Sequence, residues 1–181
     1  MTGDPSRRKP MRLKGWDYRT PGAYFVTICT QDRRCLFGCV ENEEVVLNEI
    51  GSIVSEAWLW LGDRHEAVDL DTFVVMPNYL HGILHLTHSR RGGSRTAPTR
   101  TKPLGRLIGA FKTVSTKCIN QHRHTPGARV WQRGYYDHII RDDANLDAVR
   151  RYIRDNPLQW ALDRENPAAP ASHHEAPAWH I

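Results

Sequence analysis

The spacing of apolar positions along the chain changes several times, and each change marks an element. Residues 23–30 (AYFVTICT) are rich in β-branched and aromatic side chains and follow Pro21-Gly22, which predicts a strand. Residues 32–38 read as a turn with a short strand after it, and residues 45–48 as a second short strand. Asn48 is placed to cap a helix in which Ile50, Ile53, Val54, Trp58 and Leu61 follow the 3.6-residue period. Residues 68–76 predict a strand, Pro77-Asn78 a turn or strand break, and residues 80–87 a strand in hairpin-like sequence with the one before. An amphipathic helix over 104–120 places Leu104, Leu107, Ile108, Phe111, Val114 and Cys118 on one side. Residues 130–140 predict a further strand, and Asp142-Asp143 cap a last helix that ends at Asn156, immediately before Pro157. The resulting alternation of strands and helices predicts an α+β domain, a central antiparallel sheet with helices packed on one face.

Three segments fall outside this patterning. Residues 1–15 form a basic N-terminal arm, residues 89–103 a Gly-, Ser-, Thr-, Pro- and Arg-rich flexible basic loop, and residues 163–181 a tail with too little apolar material to fold. The domain proper is expected over 16–162. The 181 residues are 40% hydrophobic, enough for one core, yet no run approaches the ~20 apolar residues of a membrane helix. The polar start of the chain carries no apolar segment behind it, so no secretory signal is expected and the cytoplasm is the expected compartment. Cys29, Cys35, Cys39 and Cys118 contain no CxxC pair, and reduced thiols are expected rather than zinc or a disulfide framework.

Charge is unevenly spread. The net charge is +5, but residues 72–136 contain no acid and eleven cations, among them Arg90, Arg91, Arg95, Arg100, Lys102, Arg106, Lys112 and Arg133. A second cluster of Arg7, Arg8, Lys9, Arg12 and Lys14 opens the chain. An acid-free stretch of this length is what a surface for polyanionic phosphate requires, and nucleic acid is the expected partner.

Three segments carry candidate chemistry. In a strand through VVMPNYLHGILH, Tyr79, His81, Ile83 and His85 share one side and Leu80, Gly82, Leu84 and Leu86 the other. Rings two residues apart, ~6–7 Å at Cα, can converge on one cation, whereas His85 is ~13 Å from His81. A lone strand histidine is more often a hydrogen-bonded structural residue. On the last helix Tyr152 and Asn156 stand one turn apart on one face. A tyrosine hydroxyl can act as a covalent nucleophile and an asparagine oxygen can ligate a hard cation. A helix tyrosine beside an apolar stripe is more commonly core. In the third segment, WQRGYYDHIIR from Trp131 to Arg141, interleaved aromatics and cations suit base stacking by Trp131 with phosphate contact by Arg133, and equally suit an ordinary amphipathic strand. His138 lies in the same segment, as a third ring near a metal or as a hydrogen-bond partner.

Taken in this order, the segments resemble the single-tyrosine HUH transposases, and more closely the REP-associated tyrosine transposases. The resemblance runs from about Arg7 to Trp160 and rests on RLKGWDY from Arg12, GAYFVTICT from Gly22, MPN from Met76, Trp131-Gln132-Arg133 through His138, and Tyr152-Ile153-Arg154-Asp155-Asn156-Pro157. It implies a ferredoxin-like HUH domain that binds single-stranded DNA, often REP-like hairpins. It also implies metal-dependent cleavage and strand transfer through a 5′-phosphotyrosine intermediate, with Tyr152 as nucleophile. His81 matches the second histidine of the HUH pair and Asn156 the polar ligand one turn after the nucleophile, together holding Mg2+ or Mn2+. One position departs: the first HUH histidine is Tyr79, a phenol that is neutral at pH 7 and a poorer ligand than imidazole. Three outcomes follow from it: weaker metal binding with water in the gap, compensation by His138, or loss of cleavage with DNA binding retained. The resemblance includes monomers and homodimers and leaves the oligomeric state undecided.

Overall fold

The computed structural model describes residues 15–87, 102–163 and 165–169. Residues 1–14 of the expected arm, Arg90, Arg91, Arg95 and Arg100 of the expected loop, and the tail from 170 onward lie outside the described residues. In chain order the elements are β1 (Gly22–Cys29), β2 (Gly38–Glu41), β3 (Glu44–Leu47), α1 (Glu49–Arg64), β4 (Val68–Met76), β5 (Tyr79–Leu86), α2 (Leu104–His122), β6 (Tyr136–Ile140) and α3 (Asp143–Gln159). Four strands form one sheet in the order β4-β5-β1-β6, antiparallel throughout. With α1 between β1 and β4 and α2 between β5 and β6, this is the β-α-β-β-α-β arrangement of a ferredoxin-like domain. Strands β2 and β3 stand apart as a hairpin closed by Asn42 and Glu43, both at positive φ (50° and 66°), as a two-residue type I′ turn requires.

Helices α1 and α2 cover one face of the sheet. Tyr24, Val26, Ile28, Leu80 and Leu84 of the strands pack there with Trp58 and Leu61 of α1 and Leu107 and Phe111 of α2. Gly82 makes the closest of these contacts possible, because a Cβ at that position would stand 2.6 Å from the Trp58 ring.

Helix α3 covers the opposite face, so the expectation of helices on a single face is corrected. The alternate strand residues Phe25 and Ile83 are apolar too, and they pack with Val149 and Ile153 of α3, flanked by Ala23, Val74 and Leu146. A sheet with apolar residues on both sides needs a layer on each. Among the described residues, no helix is long and apolar enough to cross a membrane.

Three boundaries differ from the sequence expectations. Helix α3 continues through Pro157 to Gln159. So close to the end, the ring removes one backbone bond, and the preceding Asn156 is buried and anchored by its side chain. The strand expected over 130–140 is regular from Tyr136 only, with a single bridge between Trp131 and Thr30 before it. Between them, Gln132 N–H still donates to Cys29 O of β1 (3.0 Å), while Lys112 donates to the carbonyl oxygens of Gln132 (2.8 Å) and Gly134 (2.5 Å). The expected tail also begins on ordered chain: Glu165 is buried, and its Oε2 lies 3.0 Å from Arg33 Nε.

Candidate functional site

Strand alternation and register place the site on the α3 side of the sheet. His81 of β5 is paired with Thr27 of β1, which is paired in turn with Tyr136 of β6, so the three form one row across the sheet. Thr27 Oγ1 and His81 Nδ1 are 2.9 Å apart, which fixes the plane of a ring that is 4% exposed. The Phe25 ring lies against it, with centroids 5.1 Å apart. Helix α3 is started by Asp142, whose side chain accepts from the Asn145 backbone N–H at 2.7 Å. Its 3.6-residue period then turns Val149, Ile153 and Asn156 to the sheet. Tyr152 is half-buried at the margin of this stripe. Its ring centroid is 5.4 Å from that of His81 and 6.1 Å, edge-on, from that of Phe25.

One row beyond His81, Tyr79 is wholly buried, with its ring centroid 4.5 Å from that of His81. Its single O–H is shared between two acceptors, Asn156 Oδ1 and Asp163 Oδ2, the latter at 2.5 Å. Burial first, and then the nearby Asp163 carboxyl, raises the phenol far above its ordinary pKa, so it stays neutral. Asp163 is brought in by a 3-10 turn, Trp160–Leu162, that follows α3 and sets the Trp160 ring 6.1 Å from the Tyr79 ring. Asn78 ties down the same segment, donating from Nδ2 to Arg33 O (3.0 Å) and Glu165 O (2.5 Å).

This donor set does not fit the two imidazoles and one amide that a HUH ion site implies. A neutral phenol stands where the resemblance places the first of the two imidazoles. Its hydroxyl takes up the oxygen of Asn156, the side chain matched to the third ligand. Among the described residues, no three His, Cys, Asp or Glu side chains gather where they could hold a metal ion. His138 does not restore the set. It sits beside Phe25, one row away from Thr27 and His81, and its Nε2 meets Asn145 Oδ1 at 3.0 Å.

A second polar cluster holds the other end of α3. Asp71 follows Asp69, the partner of His85, by two residues on β4 and so shares the α3 face, just where the register of β4 against β5 slips between Leu70 and Phe73. Asp71 Oδ2 accepts from Arg150 Nη2 at 2.6 Å and stands 3.0 Å from His85 Nε2. The Arg150 hydrogen bond, followed by those of His85 and Thr72, holds the carboxyl well below the usual range against the opposing effect of burial.

The remaining sequence candidates divide. Lys102, Arg106 and Arg133 are exposed. Lys112 is half-buried, and burial pushes its ammonium down to about 8. Trp131, expected to contact DNA, is instead core. It is 7% exposed, its ring packs between Phe37 and Phe111, and its Nε1–H donates to Ser115 Oγ at 2.9 Å. Thr27, Asp71, Arg150 and Asp163 were missed. Strand alternation marks Thr27 as the polar residue between Phe25 and Cys29 and Asp71 as the polar residue after Asp69, while nothing in the local pattern marks Arg150 or Asp163.

No family model matches the chain. A protein of Haemophilus influenzae (strain ATCC 51907 / DSM 11121 / KW20 / Rd), itself described only as uncharacterized, is 34% identical over 167 residues, which span 87% of this chain and 92% of that protein. The chain belongs to the family of that Haemophilus protein. Among solved structures, a REP-associated tyrosine transposase bound to a REP hairpin superimposes with a TM-score of 0.58 over 82% of this chain and 73% of that one, at 16% identity. That likeness establishes a shared fold: an α+β domain with a four-stranded antiparallel sheet, similar to the HUH transposase fold.

Proposed function

We propose that this chain binds structured single-stranded DNA, REP-like hairpins in particular, across the sheet face that carries His81 and Tyr152. In this reading it is a transposase-type protein that holds its DNA without cutting it. The meeting of the Tyr152 and His81 rings, 5.4 Å apart on one sheet face, carries the proposal. A phenol beside an imidazole on one sheet face is the arrangement a strand-transfer site needs. In a cutting form, such as Tyr79→His, the Tyr152 oxygen would form a bond to phosphorus as the bond from phosphorus to the 3′ oxygen breaks, the phenol proton passing to the departing 3′ oxygen. That exchange yields a 5′-phosphotyrosine and a free 3′-hydroxyl, and its reversal rejoins the strand without ATP. The acid-free run over 72–136 supports phosphate binding, and affinity then falls steeply with salt. The bonding of the Tyr79 hydroxyl to Asn156 and Asp163 supports the non-cutting form. Mg2+ or Mn2+ enters this reading with a histidine at position 79, where two imidazoles and the Asn156 amide make a donor set for a hard ion.

The test uses a single-stranded REP-like hairpin with Mn2+, followed on native and denaturing gels. Wild-type protein is expected to retard the hairpin and to form no covalent adduct. Tyr79→His is expected to form one, and Tyr79→His combined with Tyr152→Phe to form none. An adduct with wild-type protein would show that Tyr79 does not close the ion position. Failure to retard any hairpin would remove the DNA reading altogether.

A further inference from the structure

We infer that the groove between α2 and the segment leading into β6 is a subsite for an unpaired nucleotide of the bound DNA strand. The inference rests on the proposed function and extends it to a part of the surface that His81 and Tyr152 do not reach. The groove has a volume of about 460 Å³, within the range of ligand-sized pockets, and its lining includes Gly105, Gly109, Lys112, Arg133 and Tyr135.

Three features make it a nucleotide groove. The first is its floor. Gly109 lies inside α2, where glycine is about 1 kcal/mol less favourable than alanine, yet a Cβ there would meet no atom within 4 Å. Neither packing nor a turn requires glycine at this position; what its absent side chain provides is open space. The second is the wall. By donating to Gln132 O and Gly134 O, Lys112 fixes the backbone on either side of Arg133 and next to Tyr135. A half-buried aromatic ring and an exposed guanidinium thus stand on a braced segment, an arrangement suited to stacking a base and contacting a phosphate. The lining holds two cations and no acid. The third is position. Tyr135 lines the groove, and the next residue, Tyr136, begins β6 in the row of Thr27 and His81 on the other face. A strand crossing the edge of the sheet at β6 therefore passes directly from one site to the other.

Fluorescence anisotropy of the full chain with two labelled probes tests this. The probes are a REP-like hairpin with unpaired thymidine flanks on both sides of the stem, and the same stem with no flank. Gly109→Trp fills the groove from a position where a Cβ meets no atom within 4 Å. It is expected to weaken binding of the flanked hairpin about tenfold, the scale of one lost base stack, and to leave the blunt stem unchanged. Arg133→Gln, an exposed change that does not depend on tolerance of a large side chain, is expected to lower the salt dependence for the flanked probe by about one phosphate contact. Equal affinity of wild type and both variants for the flanked probe would overturn the groove while leaving the DNA reading intact. Equal weakening on both probes would also overturn it, because the effect would then not be on an unpaired nucleotide. Failure of wild type to bind either probe would overturn both readings.

Discussion

Helix α3 is fastened to the sheet at two places by opposite chemistry. Toward its N-terminal half, Arg150 meets the Asp71 carboxylate with His85 beside it, an ionic cluster in which the Arg150 side chain is 36% exposed. Toward its C-terminal end, Asn156 is held by the wholly buried Tyr79 hydroxyl, which also reaches Asp163. Tyr152 lies between the two. The ionic fastening is directional but open to water and salt, so it sets the height of the helix more than it adds stability. The phenol fastening is closed to solvent and fills the place where an ion-binding imidazole is otherwise expected. On this comparison, the position that reads as the loss of a ligand is at the same time a structural support. Whatever the role of an ion, the Tyr79 hydroxyl holds the end of α3 that follows Tyr152.

The largest effect is expected from breaking the closed fastening. Tyr79→Phe keeps the ring on His81 and deletes only the hydroxyl, leaving the buried Asn156 amide without that partner. The expected loss is about 2 kcal/mol, the scale for orphaning a buried polar group, read as a lower urea midpoint at unchanged slope. High salt is not expected to alter the difference. A Tyr79→Phe protein as stable as wild type would mean that the hydroxyl contributes nothing to holding α3.

Next comes the ionic fastening, through Asp71→Asn, with an expected loss of about 1–2 kcal/mol near neutral pH. The carboxyl is held below its ordinary value in the folded protein. Its stabilising contribution is therefore complete above the unfolded-state pKa of ~3.9 and declines as the pH falls below it toward the depressed native value. The gap between wild type and Asp71→Asn should thus be smaller at about pH 3 than at about pH 6, and smaller in high salt. Urea unfolding at the two pH values measures it. A gap independent of pH would assign the loss to geometry rather than charge.

The sequence made one side of this comparison visible and hid the other. Alternation along residues 79–86 puts Tyr79 and His81 on one face, and the helical period puts Tyr152 and Asn156 on one face, so the components of the site are local patterns. Their meeting depends on α3 lying over the sheet face opposite α1 and α2, which the apolar Phe25 and Ile83 require but which a one-layer reading passed over. Alternation along 68–71 puts Asp71 on the face of Asp69, but its partner Arg150 stands 79 residues away, and no local pattern pairs the two. Asp163 acts across 84 residues of chain, in a segment too polar to be expected to fold. Trp131 is ambiguous in the sequence for the converse reason. A tryptophan among cations has the composition of a base-stacking platform, and only packing against Phe37 and Phe111 assigns it to the core.

The smallest expected effect separates the start of α3 from both fastenings. Asp142 accepts from the Asn145 N–H, and the Asn145 side chain in turn meets His138, so the first turn is organised by neighbours that touch neither Asn156 nor Asp71. Asp142→Ala removes a cap worth about 1 kcal/mol, which for a domain of this size lowers the melting temperature by about 3 °C. The fraying it permits is confined to the first turn, two turns before Tyr152. Hairpin affinity, and the adduct formed by Tyr79→His, are therefore expected to survive the change. Loss of either would mean that Tyr152 is positioned from the beginning of the helix rather than by Arg150 and Asn156. In that case the two-point account of α3 would give way to one in which the cap sets the site.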